Sequence, residues 1–240
     1  VKKPAPTENS MSDQDTEQIT CRIITKPAIS YMEARLPLGL ISHVNAYIDE
    51  MRAGASDYAG ELVGQIKQNP SSAQLKLNLE DQPPMTLAQV ITQVGKQFVD
   101  TLGVTAEVLP NDMWTIHSYA GDYNPMHDHG ANTFVGLSSI VYLKVPDAIS
   151  EKEDIESGST PKLIHSSGAC DGFTQFIWGT HGVSDLSLLR APTQQFIKPE
   201  VGKLMVFPNW LLHSVQPFFG EGERRTLSCN MDIIVAASDN

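Results

Sequence analysis

Apolar residues recur at helical spacing through Leu40, Ile41, Val44, Tyr47, Ile48 and Met51, and Pro37 stands where a helix can begin. This predicts one amphipathic helix. A second is predicted from Thr86, which with Gln89 fits a capping box, through Leu87, Val90, Ile91, Val94, Phe98 and Leu102 to a stop at Gly103. Between them Leu75, Leu77 and Leu79 alternate with Lys76 and Asn78, the period of a half-buried strand, before the Pro83-Pro84 break. After Gly103 the period changes. Strands are predicted at 106–109, 113–119, 127–129, 135–144, 173–178, 193–198, 203–207, 212–216 and 224–235, separated by Gly, Pro, Asn and Asp clusters. Many short strands in succession predict a mainly β fold, a sandwich or jelly roll with flanking helices packed outside.

Residues 1–18 hold almost nothing that could be buried and read as a flexible tail, with Met11 as a candidate internal start. The remainder, 19–240, reads as a single domain: a helical and strand-bearing part at 19–103, then a β core at 104–240. The stretch from Asp147 to Arg190, rich in Gly and Ser, reads as a long insertion into that core. The longest apolar run, Ile233 to Ala237, is far too short for a membrane span, and no apolar stretch follows Lys2 and Lys3 to make a secretory leader. A net charge of -11 repels a phosphate backbone, and the only adjacent basic pairs are Lys2-Lys3 and Arg224-Arg225, so no nucleic-acid partner is expected. Three widely spaced cysteines, Cys21, Cys170 and Cys229, make no disulfide framework and fit a reducing cytoplasm.

Two segments carry chemistry. In the first, Trp114 to Pro146, His127 and His129 are two apart, so on a strand they share a face and can direct two imidazoles at one point while Asp128 points away. Such a pair suits a divalent cation; the plain alternative is two solvated histidines in a polar loop. In the second, Pro199 to Ile233, His213 lies on one strand and Arg224 on the next, where Arg224, Thr226, Ser228 and Asn230 share one face and Arg225, Leu227 and Cys229 the other. A row of polar groups on a buried strand needs a ligand or water to satisfy it. His117 reads as structural, and Trp178 and Trp210 as core or lid packing.

These segments resemble the proximal and distal motifs of the Fe(II)- and 2-oxoglutarate-dependent oxygenases, within a small bacterial and phage branch that has an H-x-H proximal motif. The matching stretches are Asn124 to His129, Ser138 to Pro146, Gly202 to His213 and Arg224 to Asn230, within residues 104 to 235. The resemblance implies a double-stranded β-helix, a jelly-roll variant of cupin-like architecture, with iron inside. It also implies His127 as the first iron ligand, His213 as the distal ligand and Arg224 as the cation that grips the distal carboxylate of 2-oxoglutarate. Tyr119 and Ser228 are expected to donate hydrogen bonds to that carboxylate, and Arg225, being out of phase, is expected at the surface. This sequence departs from the wider superfamily by placing His129 where a carboxylate belongs. Regular alternation predicts a three-histidine site of His127, His129 and His213; a bulge bringing Asp128 round would restore two histidines and a carboxylate.

The activity so implied consumes O2 and 2-oxoglutarate, releases succinate and CO2, and hydroxylates a small-molecule or peptidyl substrate. The alternative is a cupin-like metal-binding or small-acid-sensing module without oxygenase activity, which has no need of a buried arginine beyond its distal histidine.

Overall fold

The computed structural model describes residues 19–235 apart from 27–28, 53, 55–56, 59, 61–62, 64–73, 131–134, 155–167 and 180–191. The expected tail at 1–18 and much of the 147–190 insertion lie outside the described residues. In chain order the elements are β1 (Cys21–Lys26), β2 (Ile29–Arg35), α1 (Leu38–Arg52), α2 (Pro84–Thr101), β3 (Ala106–Ser118), β4 (Asn124–His127) and β5 (Gly136–Lys144). There follow α3 (Asp147–Ser150), β6 (Thr174–Ile177), β7 (Gln194–Ile197), β8 (Lys203–Pro208), β9 (Leu212–Val215) and β10 (Arg224–Val235).

The strands form two antiparallel sheets, one of six strands in the order β1-β2-β8-β5-β10-β3 and one of four in the order β4-β9-β6-β7. Alternation along β10 sends Leu227, Cys229 and Met231 to one core and leaves Arg224, Thr226, Ser228 and Asn230 on the opposite face. The first core lies between the large sheet and the helices, where Ile41, Val44 and Ile48 of α1 and Leu87, Ile91, Val94 and Phe98 of α2 meet it. Each such side chain contributes about 1.5–3 kcal/mol by leaving water. The second core joins the two sheets: Tyr31, Ile140, Tyr142, Met205 and Phe207 from the large one meet Phe176 and Ile197 from the small one. This is the expected jelly roll with its helices outside.

Several local expectations are corrected. The segment around Leu75 and Leu77 buries the expected side chains but makes only a single bridge, between Lys76 and Trp114. Helix α2 starts at Pro84, and no side-chain cap closes it; the Thr86 hydroxyl donates to Gln82 Oε1, so the capping box does not form. Gly103, at φ 79°, ends that helix as expected, because a left-handed residue carries little strain without a Cβ. The two strands expected at 106–109 and 113–119 are one, β3, with Asn111 left out of register opposite the Asn230/Met231 step. Pro110 is tolerated there because β3 is an edge strand. Strands β1 and β2 were not expected. Trp178 packs on the second core as expected, whereas Trp210 is 54% exposed.

Candidate active site

Strand pairing brings the three histidines together. His127 on β4 is the cross-strand partner of His213 on β9, and His129 follows just beyond β4, its backbone N–H held by Asn209 O at 2.9 Å. One ligand nitrogen from each ring lies within 4.8 Å of the others. Asp128 is exposed and its carboxylate accepts the Gly130 N–H, so it is turned away from the histidines, but the strand expected at 127–129 is instead β4 at 124–127, and Asp128 and His129 lie in the bend beyond it.

In all three rings Nδ1 faces an oxygen: Pro125 O at 2.7 Å from His127, Leu211 O at 2.9 Å from His213, and Asn230 Oδ1 at 2.7 Å from His129. An oxygen of this kind only accepts, so each Nδ1 carries the ring proton and each Nε2 keeps its lone pair. Burial pushes His213 well below the usual imidazole range, with the neighbouring His127 and His129 adding to it. His127 and His129 are lowered as well, by burial first, against the opposing pull of their hydrogen bonds to Pro125 and Asn230. Three neutral, oriented imidazoles are the donor set that a divalent transition metal takes, so the residues fit iron. The walls are apolar and aromatic: the Phe207 ring centroid is 5.1 Å from that of His213, and Trp114 stacks on His129 at 5.6 Å.

Arg224 enters the space between the sheets. Its side chain is fully buried, with Nε donating to Gly172 O at 3.1 Å, a terminal nitrogen donating to Thr174 Oγ1 at 3.2 Å, and the Tyr142 ring centroid 5.4 Å away. No carboxylate among the described residues forms an ion pair with it. Burial lowers its proton affinity, and Tyr142 offsets part of that. Ser228, equally in phase on β10, is also buried.

Arg225 points the other way, and the surface position expected for it is wrong. It is completely buried against α1, with Glu223 at 3.0 Å from both Nε and a terminal nitrogen, Asn45 Oδ1 at 3.0 Å and Asp49 at 2.5 Å. Glu223 also takes Arg52 at 3.1 Å and His117 at 2.5 Å. The expectation for Tyr119 is corrected for the same reason. It follows His117 by two, shares the face turned to α1, and places its hydroxyl 3.5 Å from Arg52 rather than beside Arg224. The tyrosine that meets Arg224 is Tyr142, whose hydroxyl donates to Thr174 Oγ1 at 2.8 Å. Tyr142 lies in the Ser138 to Pro146 motif stretch, but Thr174 and Gly172 carry no local signal, and only the pairing of Thr226 with Tyr142 and the return of β6 bring the three to Arg224.

Comparison with known proteins bears on the family and the fold. A family model described as "Putative 2OG-Fe(II) oxygenase" matches residues 112–230. Among solved structures, a Pseudomonas putida prolyl-4-hydroxylase is 13% identical at a TM-score of 0.51, over 88% of this chain and 95% of that one. AviO1 from Streptomyces viridochromogenes Tue57 is 16% identical at 0.53, over 88% and 91%. The non-heme alpha ketoglutarate dependent epimerase SnoN from nogalamycin biosynthesis is 12% identical at 0.56, over 84% and 76%. At these identities the structural likeness speaks for the fold alone. No curated protein matches the chain. The matched segment contains His127, His129, His213 and Arg224 and the β4–β9 pair that sets His127 opposite His213, and over that segment the chain belongs to the Fe(II)- and 2-oxoglutarate-dependent oxygenase superfamily.

Proposed function

We propose that His127, His129 and His213 hold Fe(II) through their Nε2 atoms, that Arg224 grips the far carboxylate of 2-oxoglutarate, and that the enzyme hydroxylates a small-molecule or peptidyl substrate. Bound iron supplies the redox chemistry that couples O2 to oxidation of both partners: substrate C–H, O2 and 2-oxoglutarate give substrate C–OH, succinate and CO2. The observation that carries the reading is Arg224, a buried guanidinium with no carboxylate partner among the described residues. Burying such a charge is costly unless an anion arrives to pair with it.

The spacing also fits. Arg224 is held by Thr174, two residues along β6 from Phe176, the cross-strand partner of His213. Two strand residues span about 6.6 Å. A five-carbon diacid extends about 5 Å between its carboxyl carbons, so one end can reach the histidines while the other meets Arg224. Thr174 and Tyr142 stand at the arginine end, where two parallel N–H···O bonds would fix the cosubstrate's orientation, whereas Ser228 lies four residues along β10 from Arg224, beside Trp114 and Ile140. Three neutral ligands leave the metal its full charge, which favours an anionic 2-oxoacid. The aromatic walls around His213 keep water from the reacting centre.

A cupin-like acid-binding module would share the three histidines but leaves Arg224 unexplained. A reducing cytoplasmic setting is supported by three cysteines that are all free, and the net charge of -11 speaks against a nucleic-acid partner. Among the described residues no helix is long and apolar enough to cross a membrane. The test is succinate formation from 2-oxoglutarate with Fe(II) and O2 across a substrate panel. Succinate is expected from wild type and not from Arg224→Ala. Tight 2-oxoglutarate binding with no succinate under any condition would favour the acid-binding module.

A further inference from the structure

The three histidines are not held alike. His127 and His213 each direct Nδ1 to the carbonyl two residues earlier in the chain, Pro125 O in β4 and Leu211 O just before β9, so their ring orientation is built into the local backbone. His129 has no such anchor. Its Nδ1 meets Asn230 Oδ1, 101 residues away on β10, and the same oxygen accepts the Ser138 hydroxyl at 2.8 Å from the adjacent strand β5. Asn230 and Ser138 are cross-strand partners, 4% and 0% exposed, and the register shift in β3 falls at the Asn230/Met231 step, where a bulge re-aims side chains.

An amide, unlike a backbone carbonyl, can present either of two faces. With Oδ1 toward His129 the ring proton sits on Nδ1 and Nε2 is free to ligate. Reversed, an N–H would face the ring, the proton would move to Nε2, and the third ligand would be lost. We infer that Asn230, steadied by Ser138, is the positioning residue that makes His129 a metal ligand. The inference rests on the three-histidine reading and adds that the ligand standing where the superfamily carries a carboxylate depends on a distant amide acceptor.

The test uses the metal-free full chain and Zn(II) alone. Nitrogen-15 ring spectra report the His129 tautomer without any metal, and competition against a chromophoric chelator reports Zn(II) affinity. The wild-type ring is expected to carry its proton on Nδ1. Asn230→Leu, which keeps volume but removes the acceptor, is expected to lose that preference and to weaken Zn(II) binding about 10- to 100-fold. Asn230→Asp, whose carboxylate only accepts, is expected to keep the Nδ1 proton and bind Zn(II) at least as tightly as wild type. A role in folding alone would not be rescued by the charged residue. Should Asn230→Leu not fold, Ser138→Ala takes its place, with a smaller loss of the same sign expected in both readouts. A wild-type His129 protonated on Nε2, or wild-type Zn(II) affinity in a folded Asn230→Leu, would overturn the inference while leaving the histidine site intact. Unchanged Zn(II) affinity in His213→Ala would overturn the three-histidine reading itself, and the role of Asn230 with it.

Discussion

Replacing Arg224 with methionine is expected to leave the cosubstrate-free fold near wild-type stability while removing 2-oxoglutarate binding; the same change at Arg225 is expected to do the reverse. The two residues are adjacent and equally buried, so the contrast comes from their partners. Arg225→Met strands Glu223 and Asp49, and breaking a buried pair costs about 3–5 kcal/mol. The lower end applies, because Asp49 is half exposed and Glu223 keeps Arg52, Lys144 and His117. Arg224→Met gives up charge-assisted bonds to Gly172 O and Thr174 Oγ1, each worth about 1.5–3 kcal/mol, but it also removes an unpaired buried charge whose desolvation costs several kcal/mol, so the two largely offset. Binding is another matter. Two charge-assisted hydrogen bonds at about 1.5–3 kcal/mol each amount to roughly a 10²- to 10⁴-fold loss of 2-oxoglutarate affinity. The assay is thermal unfolding with a redox-inert divalent ion, with and without 2-oxoglutarate at about 100 times its Kd, which stabilises a competent protein by about 2.7 kcal/mol. For a chain of this length that is a rise of roughly 5–10 °C, expected in wild type and absent in Arg224→Met. If Arg224→Met were as destabilised as Arg225→Met and still gained that rise, Arg224 would be a structural residue and the cosubstrate site would lie elsewhere.

Two further outcomes are expected. His129→Ala should sharply weaken Fe(II) or Zn(II) binding while Asp128→Ala changes it by no more than about tenfold, and calorimetric titration giving the reverse order would restore a carboxylate to the ligand set. Glu223 carries a pH signature. Burial alone would raise its carboxyl, but hydrogen bonds from His117 and Arg225 and the charge of Arg225 overcome that and hold it far below the usual carboxylate range. A depressed carboxyl stabilises the fold above its unfolded value, about 4.3, and that stability is lost as pH falls through the folded value. Glu223→Gln should therefore be less stable than wild type at neutral pH, with the gap narrowing below about pH 4 in urea unfolding; a gap independent of pH would refute the assignment.

Local periodicity in the sequence was enough to place the two helices, most of the strands after Gly103, and the faces of most of their side chains, though Met51 and Leu102 at the helix ends are exposed. Those follow from 3.6-residue and two-residue repeats, which neighbours along the chain determine by themselves. The opposition of Arg224 to Arg225 is of this kind, whereas His129, past the end of β4, is turned to the same point as His127 by Asn209 and Asn230. Strands β1 and β2 carry no two-residue period for a physical reason: β1 has no fully buried residue and β2 is buried on both faces, so neither alternates. What only the tertiary structure decided is which strands lie side by side. Sequence phase turns Arg225 away from Arg224, but the approach of α1 makes it a buried ion-pair anchor rather than a surface charge. The register of β10 against β5 and β3 gives Tyr142, not Tyr119, to Arg224 and sets Asn230 beside Ser138. Pairings across a hundred residues are chosen by the packing of two whole sheets, and no window of the chain short enough to show a period contains that choice.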